Sequence, residues 1–410
     1  MTAQINLLNK VASVVASDSA ATITSTSKIM NSADKIFSLS PSIPIAILNS
    51  NSSAFTDIPW SKIFGIYAKE MNGTELPRVK DYAAKLIKVI ESNDFLTSYY
   101  RHLSFYTNWC SGIVSTVIKE YIRLNKDATK LREFLASQID SYKTTNSFVE
   151  PEHFPIIEDI IKQYLNTSSS LQVNSDAKFI SEFKSELQLL LFTAFTKAIY
   201  GENLSKIVIT GFGKDEFFPS TYILDIQGIY DGHVRYVAKN PYKIDTYYSG
   251  YTKSSWILRF AQYEGAALFL EGISPDLQRY IYKNMEAVGN ILTEFISNNK
   301  VLANLSDEEK TNLKTDTQRF FTQVNRDIQK DISSYQSKNY TSPIDKMVSL
   351  MNIDEMIQLS ETLVNLTSLK LQFAINKSET VGGPIDVAVL TKERGFEWAN
   401  KKAHFQKTES

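Results

Sequence analysis

Short apolar runs separated by turns dominate the start of the chain. Residues 3–8, 11–17, 35–39 and 43–48 are β-rich, with Asn9-Lys10 as a tight turn between the first two and Pro41 and Pro44 punctuating the second pair. This pattern predicts two consecutive hairpins. Strand signals then vanish until 206–211, 221–226 and 233–237, and return last at 385–390, with helical periodicity in between. Within 176–200, Phe179, Ile180, Phe183, Leu187, Leu190, Leu191, Ala194 and Phe195 recur at three and four, and Gly201 follows as a natural stop, which predicts a helix packed on the sheet. Residues 306–309, Ser-Asp-Glu-Glu, match a capping box. Behind it Leu313, Phe320, Val324, Ile328 and Ile332 trace one narrow apolar stripe on a polar helix, expected on the surface or against a neighbouring subunit. A last helix, about 353–376, carries Met356, Leu359, Leu363 and Leu366 on one face and runs into Val381-Gly382-Gly383-Pro384 and the final strands.

A length of 410 residues allows two or three domains at about 150 residues each. The placing of the strands argues instead for one α/β core interrupted by helices. The expected parts are core at 1–75, a helical insertion at 76–204, core at 205–271, a second insertion at 272–350, the last helix and strands of the core at 351–400, and a tail at 401–410. With 43% hydrophobic and 22% charged residues the chain can bury a large core, which excludes a mainly disordered protein. The 44 basic and 45 acidic residues leave a formal charge of −1, so no nucleic acid and no anionic membrane surface is expected as a partner. A single cysteine, Cys110, cannot form an internal disulfide, and His102, His153, His233 and His404 show no ligand spacing. A reducing compartment and no metal are expected. No apolar run approaches the roughly 18 residues of a membrane helix, and the stretch 11–16 is too short for a secretion signal, so the expected location is cytoplasmic.

Met1-Thr2 is the first place where chemistry is legible. A small residue behind the initiator methionine favours removal of Met1. A threonine with a free α-amino group carries nucleophile and base on one residue. The amine's reference pKa of about 8 lies close to neutrality, so it can take the hydroxyl proton without a histidine.

Counting Thr2 as one, Asp18 is the seventeenth residue, at the end of the second strand, in Ala16-Ser17-Asp18-Ser19-Ala20-Ala21-Thr22, and Lys35 is the thirty-fourth, opening Lys35-Ile36-Phe37-Ser38-Leu39. This resembles the proteasome β-subunit and bacterial proteasome-like family of N-terminal nucleophile (Ntn) hydrolases, as a divergent branch with helical insertions. In that family the first strand begins with the threonine, the second ends in a similar Ser-Asp motif, and a lysine at a strand start reaches back to the threonine hydroxyl. Residues 207–228, with their Gly-containing turn, Pro219 and an Asp225-x-x-Gly228 ending, resemble its next strand pair. Val381-Gly382-Gly383-Pro384 followed by a strand and Gly395-Phe396-Glu397-Trp398 resemble its ending.

The resemblance implies an α+β fold, an αββα four-layer sandwich with large helical insertions, and a threonine-type hydrolase of peptide or amide substrates. It implies Thr2, Asp18 and Lys35 as catalytic residues, no cofactor, and a homo-oligomer. An ammonium beside Thr2 would lower its hydroxyl pKa, and a carboxylate would hold that ammonium. Several positions depart from the family. Lys35 sits one residue late, and Lys28 competes with it. The glycine that supplies an oxyanion-hole amide is replaced in 49–53, where Asn49 and Asn51 keep a backbone N–H and tolerate positive φ. The supporting serine aligns near Glu264 and the supporting aspartate near Glu379. The alternative expectation is therefore a catalytically degenerate structural or assembly subunit.

Other signals are read structurally. Ser25-x-x-Lys28 has the serine β-lactamase spacing without its companion motifs, and is taken as a polar loop. Gly211-Phe212-Gly213-Lys214 is a strand-to-strand turn and lacks the phosphate-loop pattern. Tyr242, Tyr247, Tyr248, Tyr251 and Trp256 fit strand propensity, and Cys110 beside Trp109 fits core packing.

Overall fold

The computed structural model describes residues 2–23, 28–30, 32–145, 149–170, 175–197, 204–244, 253–297, 299, 305–373 and 381–402. The chain begins with β1 (Ala3–Leu8), β2 (Ser13–Asp18), β3 (Ala21–Ile23), β4 (Lys28–Met30), β5 (Ile36–Ser38), β6 (Ile45–Asn51), β7 (Ala54–Phe55) and β8 (Ile58–Pro59). Helices α1 (Trp60–Met71), α2 (Val79–Glu91), α3 (Tyr99–Arg123), α4 (Ala128–Lys143), α5 (Phe154–Ser170), α6 (Ser175–Glu182) and α7 (Lys184–Thr196) follow. Then come β9 (Ser205–Gly211), β10 (Ser220–Tyr230), β11 (His233–Ala238), β12 (Tyr242–Lys243) and β13 (Trp256–Ala261). The rest is α8 (Glu264–Glu271), α9 (Pro275–Ser297), α10 (Asp307–Gln336), α11 (Ser342–Leu350), α12 (Ile353–Gln372), β14 (Ile385–Thr391) and β15 (Gly395–Asn400). The protein is mixed α/β with antiparallel sheets. It forms two compact units: Met1–Ala33, Ile244–Val389 and Trp398–Ser410 make one, and Asp34–Lys243 with Leu390–Glu397 make the other.

The first unit is built on a sheet of order β13-β1-β2-β14-β15. All residues of β1 and β2 are buried, although β1 alternates Ala3, Ile5 and Leu7 of the apolar core with Gln4 and Asn6. Ala3, Ile5, Leu7, Val14, Ala16, Val387 and Val389 form one core with Ala266 and Leu270 of α8 and Met356, Leu363, Val364 and Leu371 of α12. The close approach of those two helices requires Gly265, where a Cβ would meet the Leu366 carbonyl oxygen at 2.5 Å. Asn9 makes the expected hairpin turn by accepting the Val11 and Ala12 amides on its side-chain oxygen, at 2.9 and 3.1 Å. Its amide nitrogen donates to the Val348 and Met351 carbonyls at the end of α11.

The second unit holds a sheet of order β11-β10-β9-β6-β5, with β12 added on β10. Ile45, Ile47, Ile207, Ile209, Leu224 and Ile226 pack with Trp60, Ile63, Phe64 and Tyr67 of α1 and with Tyr82 and Leu86 of α2. A separate core joins α3 to α7, with Cys110, Leu131, Leu135, Ile161, Phe183, Leu187 and Phe195 at its centre.

Four expectations are corrected. The single helix expected over 176–200 is two helices, α6 and α7, parted at Phe183, and Gly201 lies outside the described residues. The pair packs mainly within the α3–α7 bundle, because most of its apolar residues meet other helices, and meets the sheet at its C-terminal end, where Phe195 lies against Tyr230 of β10 and Arg235 of β11. Trp256–Ala261 is a strand against β1, where the sequence offered no strand run and only aromatic content up to Trp256 that fits strand propensity. Its Leu258 and Phe260 are buried in alternation within a run too short to register as a period. On α10 the capping box is present, with the Ser306 hydroxyl taking the Glu309 amide at 3.2 Å, but the stripe is split. Phe320 is 63% exposed, while Phe321, outside the stripe, packs on Gly289 of α9.

Candidate functional site

Thr2 stands one residue before β1 and is 7% exposed. Its carbonyl accepts the Gln262 amide at 2.8 Å, which continues the pairing of Ala3 with Ala261. Ala261 holds φ at +58°, a left-handed conformation that costs an alanine on the order of 1 kcal/mol. The start of the chain is thus tied to a strained corner between β13 and α8.

Asp18 is 1% exposed at the end of β2. One carboxylate oxygen accepts the Ala3 amide at 2.9 Å; the other accepts the amides of Ala20 at 3.2 Å and Gly382 at 3.1 Å. Ser19 completes the clasp, its amide donating to the Gly382 carbonyl at 3.2 Å and its hydroxyl to the Pro384 carbonyl at 2.7 Å. Gly383, with φ at +73°, makes the turn that brings the 381–384 segment back to this point. A carboxylate that accepts three backbone N–H groups is a rigid fixture for the residues that own them. The residue before Ala3 is Thr2.

Glu264 opens α8, and its carboxylate lies 3.4 Å from the Lys370 ammonium of α12. Glu379, Ser25 and the side chain of Lys28 lie outside the described residues.

The second unit carries the remaining predicted residues. Lys35 is 6% exposed and its carbonyl accepts the Asn49 amide at 3.2 Å. Asn49 is 9% exposed on β6, opposite Ile207 of β9. Asn51, the last residue of β6, holds φ at +69°, a conformation suited to glycine or asparagine. Thr2, Asp18 and Glu264 are therefore parts of one unit, and Lys35, Asn49 and Asn51 parts of the other.

Sequence reasoning named Asp18 but missed Gln262 as the partner of Thr2, for want of a recognised strand β13. It also missed a buried ion pair between Asp386 and Lys402, whose ammonium further donates to the Ala33 carbonyl at 3.0 Å. Cys110 is fully buried, and burial pushes its thiol pKa up to about 12, so it is not a nucleophile. Among the described residues no three His, Cys, Asp or Glu side chains are placed to hold a metal ion. Among them too, no helix is long and apolar enough to cross a membrane.

No protein-family model and no curated protein matches the chain. Among solved structures it is similar to a mutant of Anbu from Hyphomicrobium sp. strain MC1, at a TM-score of 0.29 and 8% identity over 98% of this chain and 86% of that one.

Proposed function

We propose that this protein is an Ntn-type amide or peptide hydrolase acting through Thr2 once Met1 is removed. The observation that carries this reading is the Asp18 carboxylate, which fixes the Ala3 amide and so the residue before it. In the proposed mechanism the Thr2 hydroxyl attacks the substrate carbonyl and its proton passes to the freed Thr2 amine. That proton is then given to the leaving amine as the C–N bond breaks, and water hydrolyses the resulting ester. Lys35 supplies the positive charge that lowers the hydroxyl pKa. A backbone amide in 49–51 stabilises the oxyanion. The same reading takes the two sheets as the middle layers of an αββα sandwich and the working form as a homo-oligomer. Turnover of peptide or amide substrates by the mature chain and by Thr2→Ala tests it: undiminished turnover in the variant overturns the mechanism.

The second reading is an assembly subunit without turnover. It is favoured by one contact, the Glu264 carboxylate engaged with Lys370 where the family has a supporting serine.

A further inference from the structure

The second unit contains a buried ionic cluster that the chemistry of Thr2 does not use. The register of β6, β9 and β10 sets Ser50 opposite Lys206 and Lys206 opposite Asp225. The Lys206 ammonium is 2.6 Å from one Asp225 carboxylate oxygen and the Lys239 ammonium 3.1 Å from the other, with the Asp225 side chain 6% exposed. Two cations share one anion, which leaves one positive charge in excess; the Lys206 side chain is largely buried, while the Lys239 side chain, 46% exposed, opens the cluster to solvent. The Lys206 pKa is lowered, first by burial and further by Lys239, against the pull of Asp225.

Among the described residues, two neutral side chains on the strands that carry the cluster, Ser50 on β6 and Gln227 on β10, lack partners. Ser50 is 3% exposed and Gln227 is 6% exposed. Among the described residues the Ser50 hydroxyl, the Gln227 oxygen and the Gln227 nitrogen make no hydrogen bond. Gln227 follows Asp225 by two positions on β10, where the register shifts between Ile226 and Gly228. Such a bulge re-aims a side chain. Buried donors and acceptors in this state call for a partner. An internal ion triad explains Lys206, Asp225 and Lys239, but it leaves the surplus charge, Ser50 and Gln227 without a role.

We propose that Ser50, Lys206, Gln227 and Lys239, arranged around Asp225, form a binding subsite for the carboxylate of a peptide residue. One spare positive charge suits a monoanion, and a phosphate dianion would be repelled by Asp225. The Gln227 amide offers a donor and an acceptor, which match the C=O and N–H of a peptide group. The Lys35 carbonyl accepts the amide of Asn49, the residue before Ser50, so the Ser50 edge of the subsite lies about one strand spacing, on the order of 5 Å, from Lys35, and Asp225 two strands further, on the order of 15 Å across the sheet. That the ligand is a substrate rests on the hydrolase reading; that it binds does not.

Calorimetry on the full chain carrying Thr2→Ala separates the two, because binding is then read without turnover. The probes are acetyl-Ala-Glu-amide, with a side-chain carboxylate, and acetyl-Ala-Ala, with a terminal one. Acetyl-Ala-Gln-amide is the uncharged control. At least one carboxylate probe is expected to bind at a single site, at least about tenfold tighter than the control, and to lose about tenfold in Lys206→Met and in Gln227→Leu. Which probe binds identifies the source of the carboxylate. The same probe is expected to protect Lys206 from acetylation by trace acetic anhydride, read by peptide mass spectrometry in the protein with residues 206 and 227 intact. Absence of binding, equal binding of the control, or undiminished binding in Gln227→Leu overturns the proposal.

Discussion

The Asp18 carboxylate takes the Ala3 amide at 2.9 Å and the Gly382 amide at 3.1 Å. One side chain thereby joins the start of the first strand to a glycine turn more than three hundred and sixty residues away in sequence. With Asp18 almost fully buried, the three amides it accepts have no water to fall back on.

Asp18→Ala is expected to cost about 2–4 kcal/mol, because a buried donor left unpaired loses more than the net value of its bond. Asp18→Asn keeps one acceptor oxygen and is expected to cost less. Urea denaturation of the two variants and the wild type measures both, and equal stability of all three contradicts the assignment.

Gly265→Ala places a Cβ 2.5 Å from the Leu366 carbonyl oxygen, a backbone atom that cannot swing away. A loss of about 1–3 kcal/mol is expected. Since Gln262, just before α8, holds the Thr2 carbonyl, any turnover through Thr2 is expected to fall as well. Chemical denaturation and turnover of the one variant check the two effects separately.

His102 on α3 is 9% exposed, its Nε2 has no hydrogen-bond partner among the described residues, and burial lowers its pKa despite the opposing charge of Asp231. The fold therefore favours the neutral ring. Stability tied to it is complete above the unfolded-state value of about 6.5 and falls with pH below that, down through the lower folded-state pKa. Urea midpoints at pH 7.5 and 5.5 are expected to differ less in His102→Gln than in the wild type; an identical difference contradicts this.

The oligomer belongs to the proposed function, and α10 offers a direct test of it. Phe320 and Ile328 are 63% and 38% exposed. Light scattering at micromolar concentration is expected to give an oligomer that Phe320→Asp with Ile328→Asp dissociates without loss of helicity. A strictly monomeric wild type contradicts the expectation.

The hairpins and the strands β9, β10, β11 and β14 were legible because each is a short run rich in apolar and β-branched residues bounded by Gly, Pro or Asn. So was the α10 capping box, a purely local device. What escaped depends on distant neighbours. Trp256–Ala261 becomes a strand by pairing with β1, about two hundred and fifty residues earlier. Which way Phe320 and Phe321 face is decided by Gly289 on another helix. At the candidate site, Thr2, Asp18 and the Gly382-Gly383 turn could be named from spacing. The exchange of hydrogen bonds among them could not, nor could the Glu264–Lys370 pair, because a carboxylate's partner is set by packing and not by period.

The most direct measurement of the hydrolase reading is intact-mass spectrometry of the mature protein before and after a hydroxyl-directed acylating probe such as a β-lactone. The expected result is a chain lacking Met1 that gains one adduct, mapped to Thr2 and absent in Thr2→Ala. A chain that retains Met1, or a Met1-free chain that takes no adduct at Thr2, contradicts it.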